Sequence, residues 1–539
     1  MREITVDDLA ASYQKSGRWP HRSWALLDIR EPGEAERGHI PDATFLPRRQ
    51  IEFRIADLVS AKATPLVVYG GADERARLAA DTLSGFGYAD VQVLSGGFPA
   101  WQQAGNEVAT GSNVPSKQFG ERVLIEQEIP YITADELKRR MENPAAPVVV
   151  CDSRTPVEFE RGCIPGAFSA PSFDLTLQLS RLARQYDTVV VNCAGRTRSI
   201  IGTATLQVLG VDRVVALENG TMGWVLAGLK LERGATRALP DPDTVSSTAG
   251  EEAAARLAER HAIARSGAGD VDTWMASRDR RNVYVFDVRP LVEYVKGHVP
   301  GSQCLPGGQA CQRTDDFVAV HDARIVFVDN NEARSLVTAY WFRRMGFRNV
   351  SVLRGGIAQW KAEGRLLETG RGHGKPLELD AARAAVVALD VDALATWLDA
   401  RPEAIVVDVG TSRQFKAAHL LHAHWIPRGW LEQRIGEIAL PDAPVAVTAS
   451  DPLQACYAAA TLVRMGYRNS VMLDAGTAKW QREGRPVAVG FEGYAGRDDD
   501  VIDPPYEKGR QEMLRYIDWE TKLGHEQHDE TRTKGVRPA

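Results

Sequence analysis

Cys193 opens the run Cys193-Ala194-Gly195-Arg196-Thr197-Arg198-Ser199, directly after the strand-like Val189-Val190-Val191-Asn192 and directly before helical periodicity over residues 200 to 208. A loop of this kind is built for anion chemistry. Backbone N–H groups curling around Cys193 would form a nest, the helix N-terminus adds partial positive charge, and Arg196 and Arg198 add full charges. Each favours thiolate over thiol, and thiolate is the reactive form. Gly195 lets the backbone turn closely past the sulfur without a Cβ in the way. Such a nucleophile could attack an electrophilic sulfur, a phosphate ester or a disulfide.

The elements that must position this loop recur four times. An apolar strand ending in an acid appears as Leu26-Leu27-Asp28-Ile29-Arg30, Val149-Val150-Cys151-Asp152-Ser153-Arg154, Val285-Phe286-Asp287-Val288-Arg289 and Val406-Val407-Asp408-Val409-Gly410. A closing motif ends in Trp101, Trp224, Trp360 and Trp480. The acids lie 124, 135 and 121 residues apart and the tryptophans 123, 136 and 120, so two independent rulers agree within a residue. Periods this long mark tandem domains, since about 120 residues can bury their own core. Within each copy, short continuous apolar strands alternate with helical stretches, which predicts a small parallel sheet covered by helices on both faces. The expected domains are 1–112, 119–234, 251–371 and 378–490, followed by a tail, 491–539, read as mostly extended with a short helix. Residues 110–118 read as a polar junction, and residues 235–250 as a linker between two pairs of domains.

In open parallel sheets, ligands sit beyond the carboxyl ends of strands. Counting back 17 residues from Gly87, Gly210, Gly346 and Gly466 reaches Gly70, Cys193, Asp329 and Ala449, so the second copy alone carries a thiol there. The opening motif reads Asp28, Arg30, Glu34 and Gly38-His39-Ile40-Pro41 in the first copy. It reads Asp152, Arg154, Glu158 and Gly162-Cys163-Ile164-Pro165 in the second, and Asp287, Arg289, Glu293 and Gly297-His298-Val299-Pro300 in the third. The fourth is eroded to Asp408, Gly410, Gln414 and His419. With the Cys-led loop and the closing Gly-Gly-x-x-x-Trp, this pattern resembles the rhodanese (thiosulfate sulfurtransferase) family over roughly residues 1–490. The resemblance implies that Cys193 takes the outer sulfur of thiosulfate, releases sulfite and passes the persulfide sulfur to cyanide or a thiol. Amides from Ala194 to Ser199 would hold the persulfide charge, Arg196 or Arg198 would receive the donor, and no metal or organic cofactor is required. Mercaptopyruvate is the other donor considered, less suited to two arginines than a dianion. In tandem members an inactive domain commonly precedes an active one, so the first domain is expected to wall a cleft around Cys193.

Two rival readings are weighed. Related phosphatases place five residues between Cys and Arg, whereas four separate Cys193 from Arg198, and a smaller ring suits sulfur better than phosphate. The other rival is a non-catalytic scaffold in which the copies bind partners. The remaining cysteines, Cys151, Cys163, Cys304, Cys311 and Cys456, read as buried thiols, with Cys163 the one candidate for a sulfur relay. Asp152 with Arg154 reads as a structural pair, the histidines of the opening motif as turn-stabilising hydrogen bonders, and the tryptophans as core. A formal charge of -6 offers no basic stripe for nucleic acid. No apolar run approaches a membrane span, and six cysteines in 539 residues with no secretory-type start lead to the cytoplasm as the expected compartment. The expected partners are therefore small molecules.

Overall fold

The computed structural model describes residues 2–16, 22–372, 374–491 and 498–533. It contains four five-stranded parallel sheets, each with its own strands in the order 1-5-4-2-3. The second domain begins with helix α1 (Val114–Glu126). Its strands are β1 (Tyr131–Ile132), β2 (Val148–Asp152), β3 (Phe168–Ser169), β4 (Thr188–Asn192) and β5 (Val214–Leu217). Helix α2 (Thr197–Val208) follows β4, and α3 (Gly220–Leu226) follows β5. The central strands are runs of Val with nearly every side chain buried, as strands covered on both faces require. The registers Val150 to Val190 and Val190 to Val215 align three such strands, so the carboxyl ends of β2 and β4 finish side by side at Asp152 and Asn192.

The repeated motifs have repeated structural duties. In the first three domains the arginine of the opening motif bonds the acid two residues before it and the carbonyl of the following glycine. Arg154 Nη2 donates to Asp152 at 2.8 Å and to Gly162 O at 2.6 Å, and Arg30 and Arg289 do the same. His39, His298 and His419 each place Nδ1 within 3.0 Å of the carbonyl four residues back. The four closing tryptophans are core residues, and each indole N–H donates to the carbonyl six residues on.

The chain divides into two compact units, and the pairing differs from the sequence expectation. One unit holds the first and fourth domains, the other the second, the third and the C-terminal segment. In the first unit, Arg48 pairs with Glu432 at 2.7 Å, Arg428 with Glu52, and the Arg75 guanidinium lies 3.5 Å from the centre of the Trp430 ring. In the second, the Trp341 indole donates to Thr205 of α2 at 2.8 Å. Residues 197 to 206 of α2 are all buried, the mark of a helix enclosed on every side.

Three segments read from the sequence as polar or extended are helical. Residues 110–118 contain the start of α1, with Pro115 in the first turn, and residues 235–250 contain the start of a helix, Thr244–Arg260, whose N-cap Asp243 accepts from Ser246 N at 2.7 Å. The tail holds the short Pro505–Lys508 and the long α4 (Arg510–Thr533). Pro115 and Pro505 each sit in a first helical turn, where proline's missing N–H has no intrahelical partner to lose. Among the described residues no helix is long and apolar enough to cross a membrane.

In the fourth domain Gly410 stands where the others have arginine. Asp408, fully buried, keeps hydrogen bonds from Gly410 N at 2.8 Å and Thr448 Oγ1 at 3.4 Å but has no guanidinium partner among the described residues, and burial pushes its carboxyl up to about 7. The folded state then holds a proton that the unfolded chain releases near pH 4, so this group's contribution to stability is lost as pH rises from about 4 to 7. Asp408→Asn should remove that dependence. In urea unfolding, the variant should gain on the parent by about 2 kcal/mol or more between pH 5 and pH 8, at about 1.4 kcal/mol per pKa unit.

Candidate active site

Cys193 is the first residue beyond β4, and Gly70, Asp329 and Ala449 occupy the same place after Leu66–Tyr69, Arg324–Val328 and Val445–Thr448. The loop is held from outside by the first turn of α3. Thr221 N–H donates to Cys193 O at 2.8 Å and Met222 N–H to Ala194 O at 3.1 Å. Gly220, at φ +53°, allows this approach: a Cβ there would collide with Cys193 O and lie 2.7 Å from Gly195 O. Asn192 completes the frame, its amide donating to Asp152 at 3.0 Å and to Thr221 Oγ1 at 3.2 Å. One side chain at the foot of the Cys193 loop thus joins the opening acid to the closing motif.

Cys193 is 2 % exposed. Its thiol donates to Ser199 Oγ at 3.4 Å, and the Ser199 hydroxyl donates to Arg196 O at 2.8 Å. Arg198 is the cation that acts on the sulfur, but it is also bound by Glu158 through two contacts of 2.9 and 2.8 Å. Arg196 turns away to Glu121, at 2.5 and 2.8 Å, and to Asn219 Oδ1 at 3.1 Å. The sequence expectation of a thiol biased towards thiolate is not met in this arrangement. Burial pushes the Cys193 thiol up, and Arg198 and the Ser199 hydroxyl and N–H oppose the rise without cancelling it. Desolvation is the largest effect and the Glu520 carboxylate adds to the rise, while Arg198, the opposing cation, is held by Glu158.

Four of the other predicted loop residues fall into two faces. Arg196 and Ser199 line a cleft of about 100 Å³ together with Tyr131, Glu218 and Asn219. Gly195 and Thr197 face α4, the Thr197 hydroxyl donating to Glu520 Oε1 at 2.6 Å. Within this unit the loop is walled by α4 and α1. α4 docks on α1, with the Lys117 ammonium 4.9 Å and 4.5 Å from the Tyr516 and Trp519 ring centres, and Gly524 allows Glu121 to pass closely.

The matching loops explain the loss of the thiol elsewhere. In the third domain the Asp329 carboxylate fills its own cradle, accepting from Asn330 N at 2.7 Å, Arg334 N at 2.7 Å and Arg334 Nε at 2.9 Å. Arg75 and Arg334 pair with Glu34 and Glu293 as Arg198 pairs with Glu158. In the fourth domain both partners are glutamine, Gln414 and Gln454. Arginine at this position therefore belongs to the frame of the fold, whereas Arg196 has no counterpart among Asp73, Glu332 and Pro452.

The family model of the rhodanese-like domain matches residues 8–104, 133–227, 270–363 and 390–483. The chain belongs to the rhodanese-like family. Its fold superposes with a TM-score of 0.87 on the crystal structure of a thiosulfate sulfurtransferase from Pseudomonas aeruginosa, 33 % identical, with 97 % of each chain covered. A sulfurtransferase from Allochromatium vinosum is 31 % identical over 100 residues, 19 % of this chain and 92 % of that protein. The putative thiosulfate sulfurtransferase SseB of Mycobacterium tuberculosis is 30 % identical over 188 residues, 28 % of this chain and 64 % of that one.

Of the five other cysteines of this rhodanese-like chain, none repeats the Cys193 setting. Cys163 packs with Val150, Phe159 and Trp224, its thiol pushed up to about 11 chiefly by burial, which leaves the relay idea without support. Burial pushes Cys151 and Cys304 up to about 12. Sequence reasoning missed Asn192, Glu121, Glu158 as the partner of Arg198, and Glu520. Glu158 alone had a visible signal, in its repetition as Glu34 and Glu293 beside a repeated arginine.

A raised thiol reacts faster as pH rises, because only the ionised fraction attacks. The rate of Cys193 alkylation by iodoacetamide, followed by mass, should climb with a midpoint above 9.0, the ordinary value the thiol starts from. Ser199→Ala should move that midpoint further up. A midpoint below neutrality would contradict the charge balance described.

Proposed function

We propose that this chain is a sulfurtransferase in which Cys193 carries a sulfane sulfur from thiosulfate to a nucleophilic acceptor, cyanide or a thiol. The observation that carries the reading is the placement of one thiol, out of four equivalent positions, at a strand end and before a helix N-terminus, in hydrogen-bond reach of Ser199 and beside Arg198. The similarity to a thiosulfate sulfurtransferase along 97 % of the chain supports it.

The Cys193 thiolate attacks the outer sulfur of thiosulfate. A new S–S bond forms, the old one breaks with its electron pair, and sulfite departs. The Cys193 persulfide then gives its terminal sulfur to the acceptor, thiocyanate being the product with cyanide, and the thiolate returns. Covalent capture splits one difficult exchange into two displacements. Arg198, Ser199 and the loop amides stabilise the anionic sulfur, while Arg196, on the wall of the adjoining cleft, meets the donor. The domains with Gly70, Asp329 and Ala449 have no thiol at this loop position and serve as structural or binding modules. Phosphate-ester hydrolysis is disfavoured by the short loop and by arginines already held by carboxylates.

Initial rates with thiosulfate and cyanide should give parallel reciprocal plots, and sulfite should appear in a stoichiometric burst before any acceptor is added. Cys193→Ser should lower transfer by about three orders of magnitude or more, as removal of a covalent nucleophile does. Intersecting plots, or sulfite release independent of Cys193, would exclude the mechanism.

A further inference from the structure

A buried acid that sulfur transfer, as just described, does not use lies against the Cys193 loop. Glu520 lies on α4 and is 1 % exposed. Its Oε1 accepts from Thr197, two residues past Gly195. Its Oε2 is buried with no hydrogen-bond partner among the described residues, and the neutral Tyr516 phenol is the polar group that stands beside the carboxylate. A methyl group at Gly195 would sit 3.3 Å from that oxygen and 3.4 Å from Tyr516 Cε1, so α4 rests directly on the Cys193 loop. The surrounding cations are otherwise engaged. Arg198 is bound by Glu158, Arg196 by Glu121, and the Lys117 ammonium lies over the Tyr516 and Trp519 rings. Glu520 has no ion-pair partner among the described residues.

A buried carboxylate oxygen left without a donor is costly, and it repels any anion brought beside it. The expected donor, thiosulfate, is a dianion. We propose that Glu520, delivered by α4 onto the Cys193 loop, is a specificity-determining residue that sorts sulfur donors by charge, favouring monoanionic or neutral sulfane-sulfur donors over dianionic ones. The inference rests on the Cys193 reading and refines its substrate class. The chemistry is unchanged. With an organic thiosulfonate the thiolate takes the outer sulfur, the S–S bond breaks towards the sulfonyl group, and a monoanionic sulfinate leaves in place of sulfite.

Coulomb energy is linear in ligand charge, so neutralising Glu520 should help a dianion twice as much, on a logarithmic scale, as a monoanion. Glu520→Gln keeps the shape and an oxygen for Thr197. It should raise kcat/KM for thiosulfate about tenfold and for benzenethiosulfonate about threefold, chiefly through KM. Glu520→Asp should keep the parent preference. In the unaltered protein, methanesulfonate should inhibit at lower concentration than sulfate, a comparison that needs no variant. Equal gains for both donors, no change, or sulfate as the stronger inhibitor would overturn the role of Glu520. Transfer that survives Cys193→Ser would instead overturn the Cys193 reading, so the two failures are separable.

Discussion

The site depends on one repeated backbone contact: the first turn of the closing helix takes the carbonyls of the loop that follows the fourth strand. In the second domain Thr221 and Met222 donate to Cys193 and Ala194, and in the third Ile357 and Ala358 donate to Asp329 and Asn330. Phe98 and Thr477 do the same for Gly70 and Ala449. With its carbonyls bound on the outside, the loop is left to present amides inward, and Gly97, Gly220, Gly356 and Gly476 all keep positive φ to make the approach. Whatever stands at the first loop position meets that cradle. Asp329 uses it as a ligand for its own carboxylate, and a thiol uses it as a site.

Charge is arranged around this frame in balanced pairs. Arg198 with Glu158 and Arg196 with Glu121 hold the loop in shape while withholding full charge from the sulfur. Burial raises the Cys193 thiol above its ordinary value, and Arg198 and Ser199 oppose that rise. Glu520 stands outside the pairing, on an element that belongs to none of the four repeats. That separation lets donor selection be set by α4 without touching the repeated fold.

Much of this was legible before the fold. The four acids, four tryptophans and the position of Cys193 after β4 follow from periodicity and strand ends, and the buried Asp152–Arg154 pair sits where its spacing placed it. Other features carry no local signal. Glu121 and Glu520 reach the loop from α1 and α4, far along the chain, and nothing in their neighbours marks them. The tail was expected to hold a short helix, and the full length of α4 was missed because its stripe, Met513, Tyr516, Glu520 and Leu523, interrupts apolar spacing with an acid. The pairing of first with fourth and second with third domains depends on contacts such as Arg48 with Glu432 and Trp341 with Thr205, which pattern within a domain does not encode.

The central claim is that a single sulfur atom is stored on Cys193. Incubation with thiosulfate, removal of excess donor and intact-mass measurement, followed by peptide mapping under non-reducing conditions, test it directly. The account predicts one added sulfur per chain, confined to the peptide containing Cys193 and discharged by cyanide. An unchanged mass, or sulfur found on Cys163, Cys304 or any other cysteine while Cys193 stays bare, would contradict it.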